Sequence, residues 1–149
     1  MTESRDAFPF FHSLRVRWSE LDPQGIVFNP NYFVYFDVAC TEYMRAIGYP
    51  YPDGLASLGV DLFAVNAHAN FRGSARYDDI LEVGVRVGNV GRTSLRFDFG
   101  VFRGTEPLVD GTLTYVCAGG DPRGSVPVPQ AFVERIRAFE SAARTASEP

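Results

Sequence analysis

The stretch from Pro30 to Ile47 constrains the fold more than any other part of the chain. It opens on Asn29-Pro30, a capping residue followed by a proline, whose missing N–H is no loss in the first turn of a helix. It stops at Gly48 with Pro50 and Pro52 beyond, residues that end helices. Between them Phe33, Phe36, Cys40, Tyr43 and Ile47 form one apolar stripe. Tyr32, Val34, Tyr35, Val38 and Ala39 make the rest of the first half apolar as well. A helix apolar nearly all round must be covered nearly all round. Glu42 and Arg45 gather towards its C-terminal half, the end expected to reach water. The segments that follow should therefore wrap around it.

Those segments read as strands. Leu14, Val16 and Trp18 alternate with Arg15 and Arg17 ahead of the helix, and four further alternating runs follow it. These are Phe63 to Phe71, Leu81 to Val87, Leu95 to Val101 and Val109 to Cys117. Short Gly-containing turns between the last three imply an antiparallel meander. A short closing helix is expected from Pro129, with Phe132, Ile136 and Phe139 on one face. One antiparallel sheet packed on one long helix is an α+β architecture. At 149 residues the chain suits a single domain (1–149), with an ordered core of about 10–141 and flexible termini. A single sheet leaves part of such a helix needing cover, so a homo-oligomer is expected.

Composition removes several kinds of chemistry. The chain has no lysine, which excludes a Walker-A loop and a Schiff base, and it has no G-x-S-x-G elbow. Its two histidines, His12 and His68, and two cysteines, Cys40 and Cys117, show no metal-ligand spacing, so no metal is expected. The cysteines fall in helix and strand patterns as small buried hydrophobes. A net charge of −4 argues against nucleic acid as a partner. No apolar run approaches the roughly 20 residues that span a bilayer, and the first residues lack a signal-peptide pattern. No membrane partner is expected, and the cytoplasm is the expected compartment.

The remaining chemistry concentrates in Asp22-Pro23-Gln24-Gly25-Ile26-Val27-Phe28-Asn29-Pro30. It sets a carboxylate in a loop just before a buried helix N-terminus, where free N–H groups favour developing negative charge. Asp22 could activate water or attack a carbonyl. The same residues also suit a plain turn, in which Asp22 bonds the backbone and Asn29-Pro30 only starts the helix.

Asp22-Pro23-x-Gly25-Ile26-Val27-Phe28-x-Pro30-Asn31-Tyr32-Phe33 resembles the signature of the 4-hydroxybenzoyl-CoA thioesterase family. Thr41 to Gly48 is similar to the end of the family's central helix. Phe71 through Ala75-Arg76-Tyr77-Asp78-Asp79 resembles its segment entering the third strand, and Val126-Pro127-Val128-Pro129 the start of its last helix. The resemblance implies a hotdog fold, a sheet wrapped around a central helix, and hydrolysis of an acyl-CoA thioester without a cofactor. It implies that Asp22 is the catalytic carboxylate, as base or nucleophile, and that the Asn29 amide polarises the thioester carbonyl. Gly25 would allow close backbone approach, and Phe28 and Tyr32 would bind substrate, with Phe33 and Tyr35 as further pocket candidates. The Gly91-Arg92-Thr93-Ser94 loop would take coenzyme A, with Arg92, Thr93 and Ser94 as donors, in a homodimer or homotetramer with sites at the interface. Some subgroups carry His where Asn29 stands, and Ser74 replaces a common proline.

Two rivals keep the fold, and a carrier-protein thioester in place of a CoA thioester is a third possibility within the same reaction class. A hydratase or dehydratase would need a catalytic His, for which His68 is the candidate. A non-catalytic acyl-ligand binding protein would bind without turnover.

Overall fold

The apolar run does form a helix, α1 (Asn31–Ala46), but Asn29 does not cap it: Pro30 holds the N-cap position and no side-chain cap bond forms. Pro30 holds helical angles ahead of it; at the far end Gly48 takes φ +90° and Tyr49 N–H returns to the Met44 carbonyl at 3.0 Å. We describe residues 3–147 of a computed structural model.

Strand β1 (Phe10–Arg15) precedes α1. A four-residue helix, α2 (Asp53–Ala56), then leads into β2 (Val60–Phe71), β3 (Ile80–Val90), β4 (Ser94–Arg103) and β5 (Glu106–Gly119). A two-residue strand, β6 (Gly124–Ser125), and helix α3 (Gln130–Ser147) close the chain. The sheet order is β1-β3-β4-β5-β2, every pair antiparallel, with β6 on β5. The curled sheet wrapped on α1 is the hotdog architecture, an α+β fold, as the sequence led us to expect.

Alternation puts Leu81, Val83 and Val85 of β3, Leu95, Phe97, Phe99 and Val101 of β4, and Leu113 and Cys117 of β5 into the core. They meet Tyr32, Tyr35, Phe36, Ala39, Cys40 and Tyr43 of α1. Phe36 stacks on Phe99 with ring centroids 4.6 Å apart, and Gly111 makes this possible: a Cβ there would run into the Phe36 ring. Burying a ring of this size stabilises the fold by about 1.5–3 kcal/mol. Helix α3 covers the other end through Phe132, Val133 and Ile136, and its Arg135 Nε donates to the Ile47 carbonyl at 2.7 Å. That guanidinium serves a carbonyl the helix itself cannot pair.

Four details differ from the sequence reading. Trp18 is not a core strand residue: β1 ends at Arg15, and Trp18 stands 76% exposed in a single helical turn, Trp18–Glu20. Val16 N–H still bonds the Asp79 carbonyl in register with the β1–β3 pairs, and the chain turns out of the ladder only after it, into the Trp18–Glu20 turn. Helix α1 is not covered all round, since Val34 and Val38 are 49% and 39% exposed. On β2, a bulge between Ala64 and Asn66 breaks the alternation, and the strand is an edge that leaves Phe63 and Val65 open. Finally, α3 is 18 residues long, not short, and it takes in residues 142–147, which the expected core left out. The expected flexible ends at 1–2 and 148–149 lie outside the described residues. Among the described residues no helix is long and apolar enough to cross a membrane.

Candidate active site

The loop between β1 and α1 folds back on itself as a small ladder. Asp22 N–H donates to the Ile26 carbonyl at 2.9 Å, Leu21 bridges Val27, and Phe28 N–H donates to the Glu20 carbonyl at 2.9 Å. A second ladder ties this loop to the segment before β3: Ile26 bridges Arg76, and Val27 N–H donates to the Ala75 carbonyl at 2.9 Å. The turn at the tip needs glycine, because Gly25 holds φ +77°. No atom of the chain lies within 4 Å of where a Gly25 Cβ would stand, so conformation rather than internal crowding selects glycine.

Asp22 is half-buried and divides its labour. Its Oδ1 accepts the Gln24 N–H at 2.8 Å, the turn bond that the plainer reading of the sequence anticipated. Its Oδ2 has no partner among the described residues. The helix start is equally selective. Asn31, Tyr32 and Phe33 N–H groups bond to the Phe28, Asn29 and Pro30 carbonyls at 2.8, 3.2 and 3.1 Å, and Pro30 has no N–H to give. Val27 and Phe28 N–H groups are also taken. Asn29 N–H is left without an acceptor among the described residues, at the point where a helix N-terminus adds its partial positive charge.

Beneath this loop lies a buried carboxylate that sequence reasoning missed. Glu20 Oε1 accepts Arg17 N–H at 2.7 Å and the Tyr35 hydroxyl at 3.0 Å, and Oε2 accepts the Arg17 guanidinium at 2.9 Å. Burial works against its charge, but these bonds outweigh it and hold the Glu20 carboxyl below its usual range. The same arrangement, burial first and then the Glu20 charge, pushes the Tyr35 phenol up, so Tyr35 stays a donor. No periodicity marks Glu20; its only signal is a charge two positions before Asp22.

Asp22, Gly25, Phe28 and Asn29 thus share one loop. Tyr32 does not face it as a ligand would: the side chain is buried, its hydroxyl accepts Ala75 N–H at 3.1 Å, and its ring sits edge-on to Tyr35. Tyr35 is similarly enclosed, Phe33 is half-buried, and Phe28 is 52% exposed. Arg92 and Thr93 lie in the β3–β4 turn and Ser94 opens β4; the Arg92 and Thr93 carbonyls accept Val128 and Cys117 N–H groups. The Asp22 loop lies at the opposite end of β3, an 11-residue strand, so on the order of 30 Å separates them within one protomer. His68 pairs with Thr112 on the outer face of the sheet, away from α1. Cys40 is buried, which pushes its thiol up to about 12, and burial also raises Cys117, so neither is a ready nucleophile. An apolar-walled cavity of about 280 Å³ lies beside α1, lined by Cys40, Met44, Leu55, Leu62 and Tyr115 with Asp37 among its lining residues. No group of three His, Cys, Asp or Glu side chains is placed to hold a metal ion among the described residues.

Known proteins resemble this arrangement. A putative esterase of Aquifex aeolicus is 35% identical over 95 residues, 64% of this chain and 73% of the relative. The acyl-CoA thioesterase YbgC of Haemophilus influenzae is 25% identical over 108 residues, 72% of this chain and 79% of the relative. A thioesterase of Thermus thermophilus, solved in complex with coenzyme A and zinc, superposes with a TM-score of 0.77 at 30% identity, over 90% of this chain and 96% of that one. With the hotdog fold, these relatives define a class, the thioester hydrolases. The thioesterase superfamily model matches residues 24–109, and the chain belongs to that superfamily.

Proposed function

We propose that this protein hydrolyses an acyl-CoA thioester to the free acid and coenzyme A, with Asp22 as the reacting carboxylate. The observation that carries the reading is the pairing, in one loop, of a carboxylate oxygen and a main-chain N–H that both lack partners among the described residues. The thioester carbonyl oxygen would accept from Asn29 N–H, which becomes a stronger interaction as that oxygen gains charge. Asp22 Oδ2 would either take a proton from the attacking water or add to the carbonyl carbon itself. In the first case the thiolate leaves and takes up a proton to give coenzyme A. In the second, water then hydrolyses the mixed anhydride. Both routes consume one water and release one acid and one thiol. A thioester is already activated, and a donor worth about 2.7–4 kcal/mol with a base worth roughly 10²–10⁴-fold suits it.

The reading extends to the assembly. Open Val34 and Val38 on α1 and open Phe63 and Val65 on the β2 edge favour a second copy of the chain covering them. A homodimer or homotetramer of this kind is also the way in which Arg92, Thr93 and Ser94 of one protomer could serve the loop of another. Phe28, exposed beside Asn29, would contact the acyl group; Tyr32 would act from behind, through Ala75. The reaction as drawn uses no metal, and chelation by EDTA is expected to leave turnover unchanged. Two unpaired cysteines suit a reducing cytoplasm.

The test is thiol release from benzoyl-, hydroxybenzoyl-, phenylacetyl-, butyryl- and octanoyl-CoA by wild type and Asp22→Asn. Turnover of at least one substrate, lost by ~10²-fold or more in a folded Asp22→Asn, supports the reading. Equal turnover by both proteins would overturn the role of Asp22. Tight binding without turnover would favour the acyl-binding rival, and hydration of an enoyl thioester that depends on His68 would favour the hydratase.

A further inference from the structure

Only two charged side chains are buried among the described residues, Glu20 and Asp98. Burying a carboxylate is seldom a gain in stability over an apolar side chain of the same size, so its bonds show what it contributes. Those of Glu20 converge on the reactive loop. Its carboxylate takes the Arg17 N–H where β1 gives way to the loop, and the Tyr35 hydroxyl from α1. Its own carbonyl takes Phe28 N–H and Asn31 Nδ2, both at 2.9 Å. Phe28 and Asn31 lie on either side of Asn29-Pro30. One residue therefore ties the start of the loop to the helix with its side chain, and clamps both flanks of the open amide with its main chain.

We propose that Glu20 is a positioning residue: it holds the turn that aims the Asn29 N–H, and the ladder that carries Asp22, in fixed register with α1. This rests on the reading of the site given above but assigns a role that reading does not need. The chemistry requires a donor and a carboxylate at a set separation, and the seven residues between Asp22 and Pro30 are held only by isolated bridges and turn bonds. A displacement of about 1 Å in such a pair costs on the order of 10²-fold in rate. Arg17, 75% exposed at its side chain, contributes little as an ion-pair partner in water; its main-chain N–H is the more telling bond. Asn31 is the second positioning side chain, and Tyr35 anchors the carboxylate to the helix.

The experiment compares Glu20→Ala, Glu20→Gln, Asn31→Ala and Tyr35→Phe in the full chain, by steady-state kinetics and amide hydrogen exchange. Glu20→Ala is expected to lose roughly 10–100-fold in kcat with KM within about threefold, because donor and carboxylate are misaligned while binding persists. Glu20→Gln keeps an acceptor for Arg17 N–H and the Tyr35 hydroxyl, and should recover most of that loss. Tyr35→Phe and Asn31→Ala, each removing one bond, should lose roughly 3–10-fold, which keeps the proposal open to test should Glu20→Ala fail to fold. The Phe28 amide, bonded to the Glu20 carbonyl, should exchange at least about tenfold faster in Glu20→Ala, with the Phe99 amide of β4 unchanged. A residue that only stabilises the fold would lower the melting temperature and leave kcat per folded molecule and the kcat-to-KM split untouched. That result, or an unchanged Phe28 exchange rate, overturns the proposal. The two readings fail separately: a wild type inert towards every thioester sinks the proposed function, while amide exchange still decides whether Glu20 holds the turn. An active wild type, an inactive Asp22→Asn and a Glu20→Ala as fast as wild type sink this inference alone.

Discussion

The two buried carboxylates sit in opposite kinds of surroundings. Asp98 lies on the outer face of the regular sheet, where it accepts Arg96 Nε at 2.7 Å and Arg86 Nε at 3.1 Å. Arg86 is its partner across the β3–β4 ladder, and a side chain at Gly88 would collide with the carboxylate. All of its partners are side chains whose positions the strands already dictate. Glu20 lies under an irregular loop, and two of its carboxylate's bonds come from main chain or from a different element, Arg17 N–H and the Tyr35 hydroxyl. A carboxylate in a sheet therefore decorates a geometry that exists without it, whereas one beneath a loop supplies geometry that the backbone lacks. We expect the first to matter for stability and the second for rate.

Asp22→Asn should show the largest effect on the loop side, a loss of kcat of ~10²-fold or more with the melting temperature nearly unchanged. A loss confined to KM would show instead that Asp22 only helps binding. Asp98→Asn should do the reverse. We expect about 1–3 kcal/mol lost from the unfolding free energy in urea, with kcat within about twofold of wild type. A tenfold fall in kcat would break the contrast, since it would mean that the sheet face also sets the site.

Smaller effects sharpen it. Tyr32→Phe removes the acceptor for Ala75 N–H and should cost about 1–2 kcal/mol of stability while KM for every acyl-CoA stays put. A selective rise in KM would return Tyr32 to the substrate. Gly25→Ala should cost about 1 kcal/mol or more by forcing a side chain into φ +77°, with a modest loss of kcat.

The smallest signal is in pH. Burial opposes the charge on Glu20 and on Asp79, but hydrogen bonds from Arg17 and Tyr35, and from Arg76 and Arg103, hold both carboxyls below their usual ranges. A carboxyl depressed in the folded state adds stability that is present above its unfolded pKa and is lost as pH falls through the folded value. Unfolding free energy should therefore be level near neutrality and decline below about pH 4, less steeply in Glu20→Gln than in wild type. Identical acid limbs in the two proteins would remove Glu20 from that account.

Much of this was readable in the linear chain. Pro30 and Gly48 mark the ends of α1 within a residue or so, because each acts through its own backbone angles, although the expected Asn29 cap does not form. The alternation from Leu81 to Cys117 marks three of the strands and their inward residues, because the period of two belongs to the backbone. Asp22, Gly25 and Asn29 stand out because an Asp-Pro turn, a glycine and a helix start are written in consecutive residues. The class of reaction followed from a resemblance carried by those same positions.

Other features depend on where distant segments meet. Trp18 continues an apolar alternation but faces water, since pairing with β3 stops after the Val16–Asp79 bond and the chain turns through Trp18–Glu20. Val34 and Val38 look like core and are open, because the sheet curls over only one side of the helix. Glu20 reads as one surface charge among many until Tyr35 and Arg17 close over it. Arg92 to Ser94 and Asp22 are separated by the length of β3, which only the sheet's register reveals. Periodicity, caps and turn residues act over a few positions and are set by the sequence itself. The partner of a buried polar group, and which apolar face goes uncovered, are set by the packing of segments far apart in the chain.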